Sequence, residues 1–193
     1  MALSDLDMVL GLDPDSAEAY FMRGLVYRDM KWWDRAIADF SSVLDRRPND
    51  VTALVARGDM YVNLFRFHSA LADYSRAIEA EPQEGILNFI RASAYTWDGH
   101  NDLAHKDYLT ALEKCTAAIN ASPGDFKRYL DRADVLAKLD DDAAALKDYD
   151  KAVSLSPRNP NVYYSRGSHF KRMKEYPQAL KDLSRAISLR PTM

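Results

Sequence analysis

A stretch of thirty-four residues, Ala17 to Asp50, recurs down the chain, and this period limits the possible folds more than any other feature. Tyr20, Arg23-Gly24, Tyr27, Ala36, Asp39-Phe40, Val43 and Pro48 share columns with Leu54, Arg57-Gly58, Tyr61, Ala70, Asp73-Tyr74, Ala77 and Pro82. Later copies keep Arg91, Arg132 and Arg166 before a glycine or alanine, and Asp107, Asp148 and Asp182 before a tyrosine or leucine. A fixed period of this size means stacked units, each burying its apolar face on its neighbours. Tyr20, Gly24 and Tyr27 lie at i, i+4 and i+7, one face of a helix. Ala36, Phe40 and Val43 form the matching face of a second helix, which Pro48 stops. Asn49 and Asp50 then offer capping oxygens to the next helix. The expectation is an all-α array of paired helices, about eleven helices.

These columns resemble the tetratricopeptide repeat (TPR), over nearly the whole chain. The resemblance implies a right-handed superhelical solenoid of antiparallel helix pairs whose first helices line a concave groove. In this register the chain is a single array: the second helix of a half repeat over 1–14, then full repeats at 17–50, 51–84, 85–125, 126–159 and 160–193. The third is seven residues longer, because Pro123 arrives late while Ala104, Asp107 and Ala111 keep register. Leu112 to Ile119 reads as helix, so the insertion predicts two extra turns, ~10 Å, with the helix face rotated by only ~20°. The array opens on half a repeat and closes on a helix that offers Ala179, Leu180, Leu183, Ala186 and Ile187, with nothing following to bury its outer apolar residues. The reading is therefore a fragment of a longer array, or an end that docks on another copy.

Chemistry is sparse. A net charge of −3 and pI near 5.8 give no footprint for nucleic acid. The periodic arginines meet periodic aspartates, so Arg23/Asp39, Arg57/Asp73, Arg91/Asp107, Arg132/Asp148 and Arg166/Asp182 read as a structural ion-pair ladder. His68, His100, His105 and His169 form no metal pattern, and Cys115 has no paired thiol. Asp140-Asp141-Asp142 lacks the glycine and alternating ligands of a calcium loop and reads as a helix cap. Neither a secretory leader nor a membrane-length apolar run is present, and the single cysteine suits a reducing compartment. The expectation is a cytoplasmic non-enzyme with no cofactor and no metal.

The implied groove directs attention to the column beside the packing face of each first helix. It holds Phe21, Leu25 and Arg28; Val55, Asp59 and Val62; Phe89, Ser93 and Thr96; Leu130 and Asp134; and Tyr164, Ser168 and Lys171. The early repeats present an apolar strip with one acid, suited to a peptide or helix with apolar anchors. TPR domains that clamp the acidic tails of Hsp70 and Hsp90 carry lysine, asparagine and arginine on these columns. Phe21, Leu25, Ala56, Ile86 and Ile90 stand there instead, which disfavours such tails. The function expected is non-catalytic protein binding as a scaffold or adaptor. The alternative is a self-assembling module using its uncapped ends or the extended helix near 112–121.

Overall fold

A computed structural model describes residues Ala2–Arg190; Met1, Pro191, Thr192 and Met193, including the proline expected to end the last repeat, lie outside the described residues. Among these the chain forms eleven helices and no strand. In order they are α1 (Ala2–Leu12), α2 (Ala17–Asp29), α3 (Trp33–Arg46), α4 (Val51–Asn63), α5 (Phe67–Ala80), α6 (Gly85–Trp97), α7 (Asn101–Ala121), α8 (Phe126–Lys138), α9 (Asp142–Leu155), α10 (Pro160–Arg172) and α11 (Tyr176–Ser188). They fall into two compact units, Met1–Ala104 and His105–Met193, with the division inside α7. That helix has 21 residues where α3, α5 and α9 have 14 each. No described helix is long and apolar enough to cross a membrane.

Local chemistry sets the helix ends. Ser16, Asp50, Asp125 and Asn159 cap α2, α4, α8 and α10 by accepting from backbone N–H groups in the first turn, and Asp141 does the same for α9. Between the two helices of each repeat the chain turns through a left-handed residue: Lys31, Phe65, Gly99, Asp140 and Lys174 all have positive φ. Glycine allows the tightest approach inside a pair. A Cβ on Gly24 would lie 2.7 Å from Phe40 Cε1, and one on Gly58 2.5 Å from Tyr74 Cε1. In the first unit Val43, Leu44, Ala53, Leu54, Ala77 and Leu87 form a buried core, with Phe21, Val55 and Ile86 packed on its margin. In the second, Ala133, Leu136, Ala145 and Tyr149 pack together with Leu112 and Leu130 against them.

The arginines join helices. Arg57 donates from Nε and Nη2 to Asp73 at 2.8 and 2.7 Å, and from Nη1 to Ser41 Oγ at 3.0 Å. One guanidinium on α4 thus grips the second helix of its own repeat and that of the repeat before. Arg23 holds Asp39 and Asp7 in the same way, and Arg166 holds Asp182 and Asp150. Arg132 is bidentate on Asp148, while its Nη1 reaches Thr116 on α7 at 3.5 Å, the limit of hydrogen-bond range. Arg91 donates to Ser75 Oγ at 3.0 Å, and Asp107 is buried on α7 in the other unit. The forked geometry gives strong charge-assisted bonds, and each buried carboxylate has both oxygens occupied in these four pairs.

Candidate functional site

The first unit carries a trough along α2, α4 and α6. Its first cavity, about 390 Å³, is lined by Phe21, Leu25 and Arg28 of α2 and by Val51, Thr52, Val55, Ala56 and Asp59 of α4. Ile86, Leu87 and Ile90 of α6 supply the third wall, and Glu81 and Glu84 approach from the turn between α5 and α6. Arg28 and Asp59 also line a cavity of about 410 Å³, which continues past Trp33, Met60, Val62 and Asn63 to Trp97. Val62, Asn63 and Trp97 in turn border a third of about 370 Å³ with Phe65 and Phe67. From Thr52 to Asn63 the α4 edge runs ~16 Å, room for about five residues of extended peptide or three helical turns. Two large apolar side chains stand open at the far end: Trp97 is 64% exposed and Phe65 80%.

One acid sits within this apolar surface. Tyr74, buried on α5, reaches past Gly58 and donates its hydroxyl to Asp59 Oδ1 at 2.8 Å. Asp59 keeps an exposed face in the trough. Even so, the protein packed around it pushes its carboxyl above the usual carboxylate range, against the pull of the Tyr74 hydroxyl and Arg28. Burial likewise raises the Tyr74 phenol, with the Asp59 charge adding to the rise. Arg28 is paired within the trough lining: its Nε and Nη2 both donate to Asp29 Oδ1, at 3.0 and 2.9 Å.

In the second unit the same columns hold Tyr149, whose hydroxyl donates to Asp134, and burial raises that carboxyl too. Next to Tyr149 lies His169, 4% exposed, with ring centroids 5.1 Å apart. Among the described residues His169 Nε2 has no hydrogen-bond partner, and it stands 3.6 Å from Asp142 Oδ1, a carboxylate that Arg172 also contacts. Burial, then Arg172, lowers the imidazole below its ordinary value, while Asp142 acts the other way.

The residues expected to line a groove are therefore divided. Phe21, Leu25, Arg28, Val55, Asp59 and Val62 line the trough. On α6 the lining comes from Ile86, Leu87, Ile90 and Trp97. Phe89 and Ser93 are half-buried, and the Ser93 and Thr96 hydroxyls bond back to the carbonyls of Phe89 and Ala92. In the second unit Leu130 packs on the core, Asp134 meets Tyr149, and Tyr164, Ser168 and Lys171 are exposed. Sequence reasoning placed Ile86 and Ile90 on the inner columns only to weigh an acidic-tail clamp and passed over Trp97, although the spacing of four and seven puts all three on one helical face. It also missed the Asp–Tyr pairs and His169. The signals were present: both tyrosines with an aspartate in the companion column, and a histidine where Val26, Met60, Ala94 and Val135 stand in other repeats.

Family models described as tetratricopeptide repeat match residues 2–51 and 31–84, and one described as TPR repeat matches 133–174. The chain belongs to the tetratricopeptide repeat family. Its general role is that of a protein-interaction scaffold. Among solved structures, a thermophilic TPR protein of Thermus thermophilus, TTC0263, is similar with TM-score 0.70 at 18% identity, over 92% of this chain and 93% of that one. Yeast Tom70 gives 0.68 at 19% identity, covering 99% of this chain and 40% of Tom70. YrrB, titled a TPR protein with an unusual peptide-binding site, gives 0.51 at 18% identity over 96% and 92%. At such identities the likeness concerns the fold. No curated protein matches the sequence.

Proposed function

We propose that this TPR chain is a non-catalytic scaffold or adaptor whose first unit takes a peptide or helix with apolar anchors in its trough. The observation that carries the reading is the run of joined cavities walled by Phe21, Leu25, Val55, Ile86 and Ile90 and ending at Trp97. Those walls are held by the core beneath them, so a ligand meets a preformed surface and loses little affinity to ordering the protein. The peptide-binding site named for YrrB supports the same use of this fold. Arg28 is the one cation lining the first cavity and is tied to Asp29, which argues against the acidic tails of Hsp70 and Hsp90. Selection of a random-peptide display library on the purified chain tests the proposal. Binders should carry spaced apolar residues and be lost on Thr52→Arg, which fills the cavity from an exposed position. Binders indifferent to Thr52→Arg and to Trp97→Ala would remove the trough as the working surface.

A second reading, self-association, rests on α11, where Tyr176, Leu180 and Ile187 lie on one helical face and are 62%, 69% and 73% exposed. Sedimentation at rising concentration should then show mass above the monomer that Leu180→Glu abolishes; a constant monomer mass ends this reading.

A further inference from the structure

The first cavity has a sign. Asp59 and Glu81 line it against one guanidinium, and that guanidinium spends two donors on Asp29. Asp59 differs from a solvated surface acid. Its Oδ1 is fixed by the Tyr74 hydroxyl, no described side chain hydrogen-bonds its Oδ2, and Val55, Ala56 and Ile90 are among the apolar side chains lining the same cavity. Water is scarcer and the local dielectric lower beside such walls, so a positive group placed there gains more than it would on open surface. An anion there would meet the same carboxylates and be repelled.

We infer that the trough selects a basic-apolar segment: a peptide in which a lysine or arginine lies between apolar anchors, its cation seated on Asp59. This rests on the reading of the trough as a peptide site and adds the charge of what fills it. The obvious alternative is that Asp59 serves only to satisfy the Tyr74 hydroxyl. The first repeat separates the two roles. It has Leu25 and Phe40 in the columns of Asp59 and Tyr74, a combination that needs neither group. Asp59→Leu with Tyr74→Phe copies that arrangement, removing the carboxylate without stranding a buried hydroxyl.

The test is the same display selection, with peptides sequenced and then measured singly against wild type, the double variant and Tyr74→Phe. The inference expects lysine or arginine flanked by apolar residues. It expects affinity to fall roughly tenfold to a hundredfold in the double variant, as for loss of a charge-assisted bond, with Tyr74→Phe close to wild type. Circular dichroism should show all three chains equally helical. If selected peptides are neutral or acidic yet still lost on Thr52→Arg, the peptide site stands and the cation is wrong. Basic peptides that bind the double variant as tightly as wild type also overturn the inference. If no binder depends on Thr52→Arg, the peptide site and the cation fall together.

Discussion

Asp59 in the first unit and Asp134 in the second occupy the same column, accept the hydroxyls of Tyr74 and Tyr149 respectively and are pushed in the same direction by burial, yet their surroundings differ. Around Asp59 the first helices present Leu25, Val55 and Ile90, and the carboxylate opens onto an apolar trough. In the second unit Tyr149 lies against a buried imidazole, with Asp142 and Arg172 beside it. One repeat chemistry thus lies beside an apolar trough in one unit and beside a polar cluster in the other. What separates them is a handful of columns, chiefly the one whose residue packs on the tyrosine: Ala94 against Tyr74 in one unit, His169 against Tyr149 in the other.

The largest test of the comparison concerns the arginine joints. Asp73→Ala leaves Arg57 only the hydroxyl of Ser41, whereas Asp182→Ala leaves Arg166 its second carboxylate, Asp150. Denaturant unfolding should show a loss of about 3 kcal/mol for Asp73→Ala, because the stranded guanidinium is largely buried. The loss for Asp182→Ala should be about half that; equal losses would mean the second acceptor is irrelevant. Next comes Gly58→Ala. The new Cβ collides with the buried Tyr74 ring, costing about 1–3 kcal/mol of overpacking against ~1 kcal/mol regained in helix propensity. A net loss, with Tyr74 moved off Asp59 by NMR, is expected. A gain would show that the ring shifts freely.

His169 sharpens the contrast through pH. The folded state disfavours the protonated ring, so the unfolded chain binds that proton more tightly. Stability of the second unit should be highest above the unfolded value of about 6.5 and fall as pH drops from there through the depressed folded value. His169→Met, the residue of the Met60 column, should flatten that fall and add about 1 kcal/mol at neutral pH by removing an unsatisfied nitrogen. Hydrogen exchange of α9 and α10 between pH 5 and pH 7.5 reads both effects, and an unchanged profile would discount the imidazole. The smallest effect belongs to Phe65, left-handed at φ 57° and mostly exposed, where the next repeat places Gly99. Phe65→Gly should raise stability by up to ~1 kcal/mol and weaken trough binding at its Trp97 end. If stability falls instead, its edge-on packing with Phe67 outweighs the backbone cost.

The fold was legible because each repeat restates the same columns, so one ambiguous helix is corrected by four others. The site was legible only in part. Phe21, Leu25 and Val55 could be read from their column, but on α6 the lining comes from Ile86 and Ile90, in the columns of Thr52 and Ala56, and not from Phe89 and Ser93. Which flank of a first helix faces its neighbour's cavity is a tertiary result that the choice of a single column does not contain. The tyrosine hydroxyls were hidden for a related reason. Phe40 and Tyr74 fill the same space, and only the neighbour that each meets, Leu25 or Asp59, shows that the polar atom matters.

Arg23, Arg57, Arg132 and Arg166 each bind sixteen residues ahead and sixteen behind, so these joints are written half in one repeat and half in the next. Duplicating a whole repeat copies both halves, and any copy can therefore follow any other without a new connector. The long α7 obeys the same rule. Its seven additional residues move the rearward acceptor from the column of Leu109 to Thr116, still sixteen before Arg132. A chain built this way can grow, lose or reorder its repeats by recombination while the seams between them remain closed.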